Sequence, residues 1–172
     1  MICARWIRLE QNCRTSLRAA VAGFAQAQPA RAAPAVFWAR ADDGGFAYAF
    51  VVPLLLVPGR PWRWRAWALA PAIATYRQYG ERAYLDGDDV WLCGRRIAVS
   101  AATTAGDCAV VVSSFPPWPP GTLAGWVERD LEAAFRARIE AQHGWEFENS
   151  WPTQAERMAI ADALTVEGAD AA

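Results

Sequence analysis

The chain has 172 residues, 54% of them hydrophobic, and a formal net charge of −1. That is enough for one sizeable core, and the near-neutral balance speaks against a nucleic-acid-binding domain, which carries a basic surplus. All 17 basic residues are arginines, so no mechanism that needs a side-chain ammonium, such as a Schiff base or a P-loop lysine, can run here.

The cysteines are Cys3, Cys13, Cys93 and Cys108, with no C-x-x-C pair, and His143 is the single histidine. This makes neither a zinc site nor a disulfide framework, and a reduced cytoplasmic protein is the expectation. No apolar run approaches the roughly 20 residues that span a bilayer, so no membrane partner is expected. Leu17 to Ala27 is too weakly hydrophobic for a secretion signal and is followed by no good cleavage site.

In chain order, Arg5 to Leu9 reads as a short strand and Arg14 to Gln26 as a helix. Leu17, Val21 and Phe24 share one face of that helix, and Thr15 or Ser16 caps its start. Pro29 to Pro34 is a loop, Ala35 to Arg40 a strand, and Asp42 to Gly45 a turn whose glycines permit positive φ. Phe46 to Val57 is the strongest strand, apolar on both faces and hence central, with Pro53 forcing a bulge or a break. Pro61 to Tyr79 is a helix with Trp64, Trp67, Ala68, Ile73 and Tyr76 as its buried stripe. Pro71 is expected to kink or split it near Ala70.

Ala83 to Leu85, Val90 to Cys93, Ile97 to Thr103 and Cys108 to Phe115 read as an antiparallel meander. Its turns are Gly94-Arg95-Arg96 and Ala105-Gly106-Asp107. Pro116 to Gly121 is a rigid stop. Thr122 to Gln142 is a long helix with Leu123, Trp126, Val127, Leu131, Phe135 and Ile139 at helical spacing, ended by Gly144. Trp145 to Phe147 is a short strand. Thr153 and Glu156 form a capping box that opens a last helix to about Leu164. The pattern is α+β: a mixed, mainly antiparallel sheet flanked by helices. It is expected as one domain over residues 1–166, with 167–172 as a disordered tail.

The segment Leu85 to Ala102 gathers acids and arginines at one end of a hairpin, where an anionic ligand would sit. Arg96 is either an anion-binding residue or an exposed turn arginine. Asp88 and Asp89 are either Mg²⁺ ligands or a polar turn. Asp42 to Gly45 reads more simply as a turn than as a ligand cradle, since its aspartates repel an anion. Trp62, Trp64 and Trp67 with Arg60, Arg63 and Arg65 make either a docking surface or a solvated helix face with alternate tryptophans buried. His143 at a helix C-terminus is favoured by the dipole.

Gly87 to Ala101, GDDVWLCGRRIAVSA, resembles the sheet core of the biotin and lipoate protein ligases, G-R-N-D-[VL]-x-[VL]-x-G-R-K-[IVL]-[SA]-G. Asp88 and Asp89 match the family's Asn-Asp pair, and Gly94 and Arg95 match its turn. Arg96 stands at the lysine, Ile97 and Ala98 match the strand, and Val99 replaces a glycine. Arg40 to Phe50 resembles the segment R-R-x-[ST]-G-G-G-x-V-x-H-D, with Arg40, Gly44 and Gly45 agreeing. Asp43 stands at a glycine, Ala49 at the histidine and Phe50 at the aspartate. The C-terminal helix with its HGWEF continuation also resembles the family's end, so the likeness runs from Ala35 to Leu164.

The resemblance implies a biotin/lipoate ligase-like fold, ATP and Mg²⁺ as cofactors, and a lipoyl- or biotinyl-domain carrier protein as partner. It implies a ligand-binding set of Arg40, Gly44, Gly45, Asp88, Asp89, Gly94 and Ala98, with Mg²⁺ at Asp88 and Asp89. Arg96 stands in the catalytic lysine's place. Cys108, just before a strand, is the candidate for the cysteine nucleophile that some acyltransferases of the superfamily use. Arginine spreads over a fork the charge that lysine concentrates, and Val99 adds bulk where backbone must pass close to ligand. Three readings follow. One is a ligase-like domain with weakened or lost acyl-adenylate chemistry that still binds an acyl ligand or carrier protein, with or without cofactors. The others are an active lipoate or octanoate ligase or acyltransferase, and a non-catalytic interaction subunit. The departures favour the first and third over the second.

Overall fold

The computed structural model describes residues 1–9, 17–40, 45–115 and 128–170. The strands are β1 (Ile2–Leu9), β2 (Ala35–Arg40), β3 (Phe46–Pro53), β4 (Tyr84–Asp86), β5 (Asp89–Leu92), β6 (Arg95–Arg96), β7 (Val99–Ala105), β8 (Cys108–Phe115) and β9 (Trp145–Ser150). The helices are α1 (Leu17–Gln26), α2 (Trp64–Gln78), α3 (Glu128–His143) and α4 (Gln154–Asp170).

A six-stranded sheet runs in the order β7-β8-β3-β2-β1-β9, and β4-β5-β6 form a separate small sheet. In the large sheet β1 is parallel to both β2 and β9, and the remaining pairs are antiparallel. The expected mixed, mainly antiparallel α+β architecture is what the chain adopts. β3, read as central, lies between β2 and β8 with every residue buried.

Alternation along the strands divides the core in two. One face carries Ile7, Phe37, Ala49, Val51, Cys108 and Val110 and packs on Leu17, Val21 and Phe24 of α1. The other carries Trp6, Trp38, Tyr48, Phe50, Val111 and Phe115 and packs on α2, α3 and the small sheet. α4 lies against α1, so closely that a Cβ on Gly23 would come 2.4 Å from the Ala159 carbonyl oxygen.

Several elements depart from the sequence pattern. β3 ends at Pro53 rather than Val57: proline cannot donate, and its carbonyl instead accepts from the Leu56 and Val57 N–H groups of a turn. α2 runs through Pro71 unbroken after one 3₁₀ turn at Pro61–Arg63. Ala68, Leu69, Ala72, Ile73 and Tyr76 are buried on both sides of the proline, and that burial offsets its roughly 3 kcal/mol helix cost. Trp64 is buried and Trp67 half-buried while Trp62 is exposed, the alternating outcome. β9 extends to Ser150 because β1 offers it a full parallel partner. α4 continues past Leu164 to Asp170 and takes up 167–170, read above as tail. The expected PPWPPG stop and the first turns of the long helix lie outside the described residues.

The meander is the largest correction. Gly94-Arg95-Arg96 is not its turn. The turn residues are Cys93 and Gly94, with φ of 50 and 72, the type I′ conformation, and Arg95–Arg96 form β6. Ile97 and Ala98 then leave the small sheet as buried residues, and β7 starts at Val99 in the large one.

Candidate functional site

The site is defined by register at one end of the large sheet. Phe46, which opens β3, pairs with Phe115, the last residue of β8. Ala47 pairs with Ser114, and Ser114 pairs on its other side with Val99, the first residue of β7. Gly45 and the buried Ala98 therefore flank the same end, about two strand spacings or ~10 Å apart. Next along lies the row Tyr48, Ser113 and Ser100 on the face under α2. The Tyr48 hydroxyl donates to the Ala68 carbonyl of α2 at 3.0 Å. Burial pushes the Tyr48 and Tyr76 hydroxyls up, so both stay protonated. Ser113 is fully buried; its hydroxyl lies beside that of Tyr48 without the geometry of a hydrogen bond.

The small sheet brings the charges to this end. Arg65, at the start of α2, pairs with Asp88 at the β4–β5 turn, and the Ser100 hydroxyl donates to the Asp88 carbonyl at 3.5 Å. Arg96 Nη1 lies 3.4 Å from Asp89 Oδ2. Arg95 is exposed and makes no ion pair among the described residues. Mg²⁺ at these two carboxylates would have to displace Arg65 from Asp88 and Arg96 from Asp89. Among the described residues no three histidine, cysteine or acidic side chains converge. Gly94 has a φ of 72, which the turn conformation requires, and a Cβ there would meet nothing within 4 Å, so the space beside it is open.

The sequence candidates separate accordingly. Gly45, Asp88, Asp89, Arg96 and Ala98 gather around the site end. Gly44, with Asp42 and Asp43, lies outside the described residues, and of Arg40 only the backbone, paired with Phe46, is described. Cys108 falls elsewhere. It is buried on the α1 face, opposite Pro53 at the far end of β8, and burial followed by the Asp107 charge pushes its thiol up. A nucleophilic cysteine needs the reverse shift. His143 is stacked on Trp67 with ring centroids 4.4 Å apart, and burial lowers its pKa to about 4. It is a core-rim residue rather than a dipole-stabilised cation.

Arg65 and Ser113 were missed by sequence reasoning. Arg65 reads in the sequence as part of the tryptophan segment, and its partner Asp88 lies 23 positions away. Ser113 did leave a signal: with Ser114 it ends the apolar run Ala109 to Val112 inside a strand whose other face is core, and Ser113 is itself buried.

No family model matches the chain, and no curated protein sequence matches it. Solved structures do. A bi-partite lipoate protein ligase from Thermoplasma acidophilum, studied with its E2 lipoyl domain, is similar with a TM-score of 0.81 at 9% identity. That likeness covers 96% of this chain and 93% of that one. Lipoate-protein ligase A bound with ATP is similar with a TM-score of 0.78 at 10% identity, covering 95% of both chains. A biotin acetyl coenzyme A carboxylase synthetase from Helicobacter pylori is similar with a TM-score of 0.53 at 11% identity, over 81% of this chain and 75% of that one. The chain has the biotin/lipoate protein ligase fold.

Proposed function

We propose that this chain is a lipoate/biotin ligase-like domain in which acyl-adenylate chemistry is weakened or lost, and which binds an acyl ligand or a lipoyl- or biotinyl-domain carrier protein in the cytoplasm. The observation that carries this reading is the pairing of Arg96 with Asp89. At the place where the resemblance puts a free lysine ammonium stands a delocalised guanidinium already engaged by the chain's own carboxylate. The neighbouring Asp88 is likewise engaged, by Arg65, which disfavours Mg²⁺ there.

Incubation with ATP, Mg²⁺ and lipoate, octanoate or biotin, with pyrophosphate release as the readout, tests it. The expected result is no turnover, with a rise in Tm on adding one of the acids or an apo-carrier domain. Turnover that Arg96→Ala abolishes overturns it in favour of an active ligase.

A second reading is a subunit whose site a partner chain completes. It is favoured by the likeness to a bi-partite ligase over 93% of that protein's chain. Turnover that appears only on adding a second chain would select it.

A further inference from the structure

The stretch between β3 and α2 turns its apolar side chains outward. Leu54, Leu55, Leu56 and Trp62 are all exposed, Leu55 by 77%. Of residues 54–63 only Val57 is half-buried, and it packs on the core. Hydrogen bonds fix the turn. The Pro53 carbonyl accepts from the Leu56 and Val57 N–H groups at 2.8 and 3.3 Å, and the Asp107 carbonyl accepts from the Leu54 N–H at 2.9 Å. With Val57 as its anchor, the turn holds the three leucines in water. Charge accompanies them. From Phe46 to Gly80 the sequence has four arginines, Arg60, Arg63, Arg65 and Arg77, and no carboxylate. Arg60 and Arg63 are exposed and form no ion pair among the described residues, and the Arg60 guanidinium lies 5.1 Å from the centre of the Trp62 ring. On α4, by contrast, the exposed Met158 and Val166 share a helix face with Asp162 between them.

We propose that residues 54–63 seat the chain on the surface of an anionic phospholipid bilayer. Leu54, Leu55 and Leu56 enter the boundary of the acyl layer, Trp62 lies at headgroup level, and Arg60 and Arg63 meet lipid phosphates. The contact is with the surface alone. Among the described residues no helix is long and apolar enough to cross a membrane, and surface binding needs none. A lipid surface fits this patch better than a protein does. Four apolar side chains offer less than the ~800 Å² that each partner gives to a standard protein interface. Interfacial binding needs only inserted apolar area and opposite charge, without a complementary shape. Since the whole chain carries a net charge of −1, attraction to an anionic surface comes from this patch and not from the overall charge.

Co-sedimentation of the full chain with sucrose-loaded vesicles tests this. The expected result is pelleting with vesicles of phosphatidylglycerol and phosphatidylcholine, at least ~10-fold weaker with phosphatidylcholine alone and weaker as salt rises. Leu55→Ser, at an exposed position, should weaken binding about 10-fold by removing inserted apolar surface. Arg60→Glu/Arg63→Glu should weaken it at least ~10-fold and abolish the preference for phosphatidylglycerol. Met158→Ser on α4 should change nothing. A wild-type chain that stays in the supernatant with phosphatidylglycerol vesicles overturns the proposal, as does pelleting indifferent to Leu55→Ser. Should the variants fail to fold, amide exchange on the wild type decides. Protection of residues 54–63 must rise on adding phosphatidylglycerol vesicles while that of α4 does not. Protection of this stretch that instead rises with protein concentration, without lipid, assigns it to a protein contact and overturns the proposal.

Discussion

Arg5 and Arg65 each meet a carboxylate far along the chain, Glu156 and Asp88, in very different surroundings. Arg5 leaves β1 and reaches Glu156 at 2.5 and 3.0 Å, Ser150 Oγ at 3.0 Å and the Trp151 carbonyl at 2.9 Å. Glu156 also accepts from Gln28 at 2.7 Å and from the Thr153 N–H at 2.6 Å. The side chains of Arg5 and Glu156 are 20% and 8% exposed, and the network ties β1, β9, the chain after α1 and the start of α4 together. Around Asp88 the corresponding exposures are 36% for Arg65 and 40% for Asp88, and for Arg96 and Asp89 they are 55% and 30%. One cluster has its lone pairs and donors satisfied away from water, and it fixes the fold. The other is open to solvent, contributes little to stability, and can exchange a partner for a ligand.

Removing the buried carboxylate should have the largest effect. Glu156→Ala leaves the Arg5 guanidinium without its charge partner and the last helix without its capping box. A loss of about 3 kcal/mol is expected, or roughly 6–12 °C in Tm for a chain of this size. Urea unfolding at neutral pH measures it. A loss below ~1 kcal/mol would make the two clusters equivalent and break the comparison.

Acid should separate the same regions. Burial alone would raise the Glu156 pKa, but the hydrogen bonds from Arg5, Gln28 and Thr153 and the Arg5 charge outweigh it and hold the value at about 2. A carboxyl held below its ordinary 4.5 contributes stability that is fully present above that value and lost as pH falls towards about 2. His143 titrates earlier. Its pKa is lowered from 6.5 to about 4 by burial against Trp67, Phe50 and Trp145, so the unfolded chain takes up its proton first. Stability therefore falls between pH 6.5 and 4 on its account. Denaturant titrations at pH 7.5, 5 and 3 should show two successive losses. His143→Phe should remove the first and, since Nε2 is buried without a partner, cost no stability at neutral pH. Glu156→Gln should remove the second.

The capping box was legible because its two residues are three apart and the pattern is local; both hydrogen bonds form, with Glu156 N–H donating to Thr153 Oγ1 at 3.3 Å. The partner Arg5 was not legible, since nothing local marks a contact 151 residues away. The aromatic β3 announced itself by an unbroken apolar run. The place of the hairpin turn between β5 and β6 did not, because it depends on Cys93 adopting positive φ, a conformation few non-glycine residues take. The candidate site shows the same division. The resemblance led to Asp88, Asp89, Arg96 and Ala98 through their spacing along the chain. The ion pairs that engage the acids depend on how α2 lies against the small sheet, which spacing does not encode.

The smallest stability effect, and the sharpest test of the contrast, is expected at Asp88. Asp88→Ala removes the carboxylate but not the backbone carbonyl that accepts from Ser100, so the hairpin keeps that contact with β7. Below ~1 kcal/mol should be lost, and less still in high salt, since the pair is solvent-accessible. The chemical consequence is larger. Arg65 is left with no carboxylate of its own, and the site end becomes more cationic. Pyrophosphate or an acyl carboxylate should then raise Tm more in Asp88→Ala than in the wild type, and the difference should vanish in Arg65→Ala/Asp88→Ala. An unchanged ligand response, or a stability loss as large as that of Glu156→Ala, would place Asp88 with the structural cluster instead.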